Sequence, residues 1–288
     1  MSTNCGGYIM CGGYIMCGGY EVSSVVFGSF RLDGGAMFGS VPKNIWTRSI
    51  SADDENCISL VSRSLLLRGH GKVILIDVGL GDKWDEKRAS FFKILNTPRS
   101  TLGFRDEEIT DVVLTHLHFD HSGGITKLDA NGALALTYKS ANIHLQESNL
   151  INARAPNMRE QASYLKENVE PLTTAKLRLL KDNEEILPNI FGHQVDGHSK
   201  GQQWIEIRDD KNPIMFATDL IPTAHHLPLP FTMGYDICAL TVMREREDFI
   251  NLSLANNAIV VFQHDAVTAA ARIKMGKRYA EVAEVVSI

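Results

Sequence analysis

Residues 115–124 read Thr-His-Leu-His-Phe-Asp-His-Ser-Gly-Gly, which puts His116, His118, Asp120 and His121 within six consecutive positions. Neutral imidazole and ionised carboxylate are preferred ligands of zinc and of similar borderline divalent metals. Three imidazoles and a carboxylate are costly to crowd together unless a cation binds them. The cluster follows the apolar run Val112-Val113-Leu114, so its polar side chains begin where a buried strand ends. A loop at such an edge can turn several side chains toward one point. That strand, and the glycine pair Gly123-Gly124 behind the cluster, argue against a surface histidine tract.

One cluster cannot close a two-metal site, and three more ligand-type residues stand just past apolar runs. His198 follows the strand ending near Val195, within Gly197-His198-Ser199-Lys200-Gly201. Asp219 follows Ile214-Met215-Phe216-Ala217-Thr218, and His264 follows Ile259-Val260-Val261-Phe262-Gln263. Asp77 ends a further apolar run in Leu75-Ile76-Asp77-Val78-Gly79. This recurrence is what a site at one edge of a β-sandwich requires.

The elements that carry these residues are read from periodicity and turn signals. Strands are expected over 22–30, 57–68, 73–78, 112–114, 140–144, 176–180, 190–195, 203–208, 214–217 and 259–262, with a further strand-like stretch at 36–41. Helices are expected over 84–95, from 146 onward with helical character through 158–169, and over 241–256. In the last of these, residues 244–247 read as a solvated charged face, and His70, His144 and His193 as surface or turn residues. Strands and helices repeat in two halves, which predicts an α/β fold with two packed sheets and helices outside.

The 288 residues are 44% apolar, enough for a substantial core. The formal net charge of −5 tilts against a nucleic-acid partner, which usually meets a basic face. No apolar run approaches the ~18 residues of a membrane-spanning helix. Residues 1–20 repeat Cys-Gly-Gly-Tyr without amphipathic logic and read as a flexible leader, leaving 21–288 as one catalytic domain. The five cysteines form no disulfide framework, and a cytoplasmic setting is the default.

The signature His-x-His-x-Asp-His, followed by a lone His, an Asp and a final His, resembles the metallo-β-lactamase superfamily. The resemblance runs from near Val22 to His264. It implies an αββα sandwich of two mixed β-sheets packed face to face. It also implies that His116, His118 and His198 hold one metal, that Asp120, His121 and His264 hold the other, and that Asp219 bridges them. Asp77 would orient a metal-bound histidine from outside. Two Zn2+ are expected, although Mn, Fe or Co suit the same ligands. A glutamate at position 118 would mark the di-iron redox branch, whereas His118 points to hydrolysis, and a bridging Asp219 separates the chain from true β-lactamases.

By the same resemblance a metal-bridging hydroxide attacks the substrate, with Asp120 as proton shuttle. Residues 33–43 and 228–235 look similar to quorum-quenching lactonases, which implies a small lactone or related ester, N-acyl homoserine lactone among them, with Met37 and Phe38 as an apolar wall. Such lactonases carry a tyrosine three positions after the bridging aspartate; here that position is Pro222, and His225 and His226 are candidate replacements. Alternative readings are a phosphodiesterase, nuclease or thioester hydrolase on the same metals, and a catalytically silent metal-binding scaffold.

Overall fold

The computed structural model describes residues 13–288. Strands β1 (Ile15–Cys17) and β2 (Tyr20–Asp33) pair antiparallel across Gly18-Gly19, both at positive φ, a hairpin that side-chain-bearing residues disfavour. The expected flexible leader is therefore corrected from Ile15 on, and the first two Cys-Gly-Gly repeats begin outside the described residues. Burial explains the ordering. Cys17 and Tyr20 are enclosed in the core, the Cys17 thiol donates to the Ile207 carbonyl at 3.2 Å, and Tyr20 Oη donates to the Pro188 carbonyl at 2.9 Å.

After β2 the Asp33 carboxylate accepts from the Ala36 amide at 2.7 Å and starts helix α1 (Gly34–Phe38), followed by α2 (Lys43–Trp46). The strand-like reading of 36–41 fails here because the Asp33 cap starts a helical turn that runs through Phe38. The long hairpin β3 (Cys57–Gly69) and β4 (Lys72–Ile76) leads to the short helix α3 (Glu86–Phe91) and to β5 (Leu95–Asn96), which pairs with β2. Strand β6 (Asp111–Val113) precedes α4 (Phe119–Ser122), and β7 (Thr126–Leu128) and β8 (Leu134–Leu136) form a separate hairpin. Strand β9 (Asn142–Gln146), helices α5 (Glu147–Arg154) and α6 (Lys166–Val169), and β10 (Lys176–Leu180) complete the first half. Its sheet runs β1-β2-β3-β4-β6-β9-β10, antiparallel up to β4 and parallel beyond it.

The second half supplies β11 (Glu184–Leu187), β12 (Ile190–Val195), β13 (Gln202–Ile207), β14 (Ile214–Phe216), α7 (Ala239–Ala255), β15 (Ile259–Val261), β16 (Ala270–Met275) and β17 (Ala280–Val286). They form one sheet in sequence order. Only β14 and β15 are parallel, because α7 makes the crossover between them.

Alternation sorts the side chains into layers. Ile74, Ile76 and Val113 point between the sheets and meet Ile205, Ile207, Phe216 and Val261. Leu75 and Val112 point outward and pack with Leu150 and Ala153 of α5. Trp204 and Met215 point to the opposite exterior, under Val242, Phe249 and Ile250 of α7. The architecture is an αββα sandwich of two mixed sheets.

Three readings of helices need correction. Residues 158–169 form turns up to α6, because Ala155 leaves helical geometry and the Asn157 side chain accepts from the amides of Arg159 and Glu160. α3 is shorter than 84–95 because Lys93 turns to φ 48°. Arg246 of α7 is not solvated; it is wholly buried and donates to the carbonyls of Leu220 (3.0 Å) and Phe231 (2.9 Å). His144, too, is buried rather than superficial, 2.9 Å from Asp111. No helix among the described residues is long and apolar enough to cross a membrane.

Candidate metal centre

Five chain segments end at one edge of the sandwich: the turns after β4, β6, β14 and β15, and the β12–β13 connection. After β6 the chain turns sharply, and Ser122 Oγ donates to the carbonyls of Leu117 and His118, locking the single-turn helix α4. Gly123 and Gly124 are required by close approach, since a Cβ on either would run into the backbone carbonyl of Leu80 or Val78.

Two groups of donors result. His116, His118, His198 and Asp219 form one, and Asp120, His121, His264 and Asp219 the other; within each group the ligand atoms lie within 4.8 Å of one another. All seven residues are buried. His198 Nε2 stands 3.2 Å from His118 Nδ1 and 3.1 Å from Asp219 Oδ2, with His116 Nε2 at 3.8 Å from that oxygen. In the second group His264 Nε2 is 3.3 Å from His121 Nε2, 3.6 Å from Asp120 Oδ2 and 2.9 Å from Asp219 Oδ1. Asp219 Oδ2 is also 3.3 Å from His121 Nε2, so the carboxylate lies between the two groups and meets histidines of both.

The outer faces of the rings fix their tautomers. His121 Nδ1 donates to Asp77 Oδ2 at 2.9 Å, His198 Nδ1 to Asp236 Oδ1 at 2.9 Å, and His264 Nδ1 to the Val61 carbonyl at 2.9 Å. Each of these rings is left with Nε2 aimed inward. Inside the cluster, His116 Nε2 and Asp219 Oδ1 are buried with no hydrogen-bond partner. Asp219 Oδ1 approaches His264 Nε2 to 2.9 Å without hydrogen-bond alignment, as lone pairs do when they converge on a third point. The donor set, its burial and its orphaned atoms fit divalent cations.

Charge follows the same pattern. Burial, reinforced by the neighbouring His121, pushes His116 well below its usual value, and burial also lowers His118. Burial opposes charge on His121 and His198 as well, but Asp219 overcomes it. It holds His121 well above the usual value and, with Asp236, raises His198 to about 10. Burial would raise Asp219, yet His121, His264 and His198 together keep it well below the carboxylate range. The bridging turn is itself strained: Thr218 has φ 50°. With its amide oriented to face these donors, the Gln202 oxygen accepts from Thr218 Oγ1 (2.8 Å) and the amides of Asp219 (3.1 Å) and Leu220 (3.2 Å).

A cavity of about 310 Å³ opens over the centre. His118, Asp120, His198, Asp219 and His264 form its floor, Phe30, Leu32, Met37, Phe92, Phe119 and Met233 its apolar walls, and Arg159 and Tyr235 its polar rim, with Glu160 buried in its lining beside His118. Of the expected substrate contacts, Met37 lines this space. Phe38 does not. It is fully buried, stacked on Trp46 at 5.3 Å and on His226 at 4.6 Å. His226 is also structural, its Nε2 donating to the Met37 carbonyl at 2.9 Å, and burial lowers its value to about 3. His225 faces a separate small recess with Ser49, Ser51 and Asp265. Sequence reasoning missed Asp236, Glu160, Arg159, Tyr235 and Gln202. Only Tyr235 lay in a stretch already singled out, 228–235.

A family model described as the metallo-beta-lactamase superfamily matches residues 60–264. An N-acyl homoserine lactonase of Bacillus cereus is 27% identical over 168 residues, 57% of this chain and 59% of that protein. A probable metallo-hydrolase of Mycobacterium tuberculosis is 28% identical over 121 residues, 37% of this chain and 36% of that one. The chain thus spans about three fifths of the length of the lactonases it matches. Among solved structures, a probable metal-dependent hydrolase from Staphylococcus aureus superposes with a TM-score of 0.83 at 26% identity, covering 94% of this chain and 100% of that one. A dizinc quorum-quenching lactonase in complex with a product superposes with a TM-score of 0.75 at 18% identity, covering 96% and 98%.

Proposed function

This chain belongs to the metallo-beta-lactamase superfamily, and from that premise we propose that it is a dinuclear metal-dependent hydrolase that opens a lactone or a related ester. The observation that carries the reading is the placement of Asp219 between two histidine groups on the floor of an apolar cavity. His116, His118 and His198 would hold one cation, Asp120, His121 and His264 the other, and Asp219 both. Zinc suits this donor set, as do manganese, iron and cobalt. Two bound cations supply Lewis acidity toward the carbonyl oxygen and make water acidic enough to be a nucleophile near neutral pH.

The chain's own residues supply the rest. Asp77 and Asp236 keep His121 and His198 in the tautomer that faces inward. Asp120 is 8% exposed and lines the cavity, so it can carry a proton to the departing alkoxide oxygen. The aromatic and methionine walls exclude water and receive an acyl group. Pro222 offers no donor to the substrate carbonyl. Tyr235 at the rim keeps its phenol proton, because burial and the charges of Asp33 and Asp120 push it up to about 12, and it can donate to that oxygen.

A phosphodiester substrate calls for clustered cations at the mouth, whereas Arg159 is the one cation lining this cavity among the described residues. The test is hydrolysis by metal-loaded protein across short- and long-chain lactones, N-acyl homoserine lactones among them, thioesters and phosphodiesters. Lactone or ester opening is expected. Turnover of phosphodiesters alone would overturn the reading, and no turnover of any class with both metals bound would favour a silent scaffold.

A further inference from the structure

Two of the inward-facing histidines have a carboxylate against the outer ring nitrogen, Asp77 behind His121 and Asp236 behind His198. His118 shows Nδ1 to the cluster, 3.2 Å from His198 Nε2, so its Nε2 faces outward. That nitrogen is buried and has no hydrogen-bond partner. The nearest carboxylate oxygen is Glu160 Oε1 at 3.6 Å, on a side chain only 2% exposed. Burying a carboxylate that far from solvent is unfavourable unless it is paired, and Glu160 is deliberately held. Asn157 Nδ2 donates to Oε2 at 2.5 Å, Asn152 Nδ2 reaches Oε2 at 3.3 Å, and Tyr164 Oη reaches Oε1 at 3.4 Å. Tyr164 Oη is also 2.5 Å from Ser199 Oγ, the residue after His198. The network that starts behind His118 thus reaches the side chain next in sequence to His198, a ligand-type residue of the same group.

We propose that Glu160 is the positioning residue for His118, orienting its ring from outside and tuning the cation position formed by His116, His118 and His198. The inference rests on the two-metal reading above. Glu160 touches neither the second donor group nor its partners Asp77 and Val61, so its effect is local to one of the two positions. A carboxylate behind a ligating imidazole makes the ring a stronger donor and fixes its angle. Loss of such a partner weakens metal binding by about 10- to 100-fold.

The test is a titration of metal-free wild type, Glu160→Gln and Glu160→Ala with Co2+, followed by absorbance of the visible ligand-field bands and by metal counting after challenge with a chelator. Glu160→Gln keeps the volume and an acceptor oxygen, and guards against a folding defect in Glu160→Ala; urea unfolding of each metal-free chain checks this. The expected result is two equivalents in wild type. In Glu160→Ala one equivalent should be lost about 10- to 100-fold more readily, with altered bands for that equivalent alone. Glu160→Gln should fall between them. If both variants bind two equivalents with wild-type affinity and spectrum, the proposal is overturned while the two-metal reading stands. If wild type binds no cobalt, the two-metal reading itself fails. If both positions weaken equally, Glu160 is a general structural residue and the positioning role is refuted.

Discussion

Asp77 offers the sharpest perturbation, because its carboxylate is wholly buried and fully used. Oδ1 accepts from the Thr115 amide at 2.8 Å. Oδ2 accepts from Thr115 Oγ1 (2.8 Å), His121 Nδ1 (2.9 Å) and Gln263 Nε2 (2.7 Å). In Asp77→Ala the Thr115 hydroxyl is a free rotor and is the one donor that can turn away. The other three donors lie in fixed buried positions and lose their acceptor. At about 1–3 kcal/mol for each buried unsatisfied donor, the substitution costs about 5 kcal/mol, a large share of a typical domain's stability. Asp77→Asn keeps an oxygen toward the crowded side and tolerates the φ of 62°, but sets an NH2 against the Thr115 amide. Its cost is about 1–3 kcal/mol, one donor's worth. Urea unfolding of the metal-free proteins measures both, and zinc competition should show the 10- to 100-fold loss expected when His121 loses its outer partner. Equal stability of wild type and Asp77→Ala, within about 0.5 kcal/mol, would refute the bond-by-bond reasoning.

Metal binding should release protons near pH 7, since Asp219 holds both His121 and His198 above their ordinary value in the metal-free protein. Calorimetry in buffers of different ionisation enthalpy reads this release, and zero release would contradict the ligand assignment. Glu206 is pulled down to about 2 from 4.5, its burial outweighed by His193 at 2.9 Å and Arg208 at 2.8 Å. A lowered carboxylate stabilises the fold above about pH 4.5 and loses that contribution as pH falls toward 2. Glu206→Gln should therefore cost about 2 kcal/mol at pH 7 and progressively less down to pH 2; a pH-independent difference would contradict the pairing. Phe38→Ala should destabilise by about 3–5 kcal/mol with substrate selectivity unchanged, because the ring lies between Trp46 and His226 outside the cavity. Met37→Trp, by contrast, should raise KM for long-chain substrates with little change for the smallest, and the reverse pattern in this pair would mean the cavity wall is misassigned.

The centre was legible where chemistry is local in sequence. Residues 116–121 declare themselves, and His198, Asp219 and His264 share one context, a ligand-type side chain just past an apolar strand. Asp77 was legible for the same reason. Its partners in the same role were not. Asp236 and Glu160 sit on irregular segments, 228–238 and 155–165, where neither the helical nor the strand period applies and the backbone is shaped by Asp236 itself in the first and by Asn157 in the second. Phe38 and His226 misled because buried aromatic and histidine side chains look alike in sequence whether they line a cavity or stack on one another. Arg246 misled for a related reason. A charged residue near a helix start reads as solvated, yet here three backbone carbonyls of the loop after Asp219 accept from its Nε and Nη1. The strands β16 and β17 escaped notice because β17 is an edge strand with mostly exposed side chains, so alternation is weak. Cys17 and Tyr20 were hidden inside a repeat whose period gave no hint of burial.

The central claim is that two cations share Asp219. Crystals of protein loaded with Zn2+ and measured at the zinc absorption edge test it most directly. The account predicts two anomalous peaks, one among His116, His118 and His198 and one among Asp120, His121 and His264, each in contact with the Asp219 carboxylate. A single peak, or two peaks with Asp219 touching neither or only one, would contradict it.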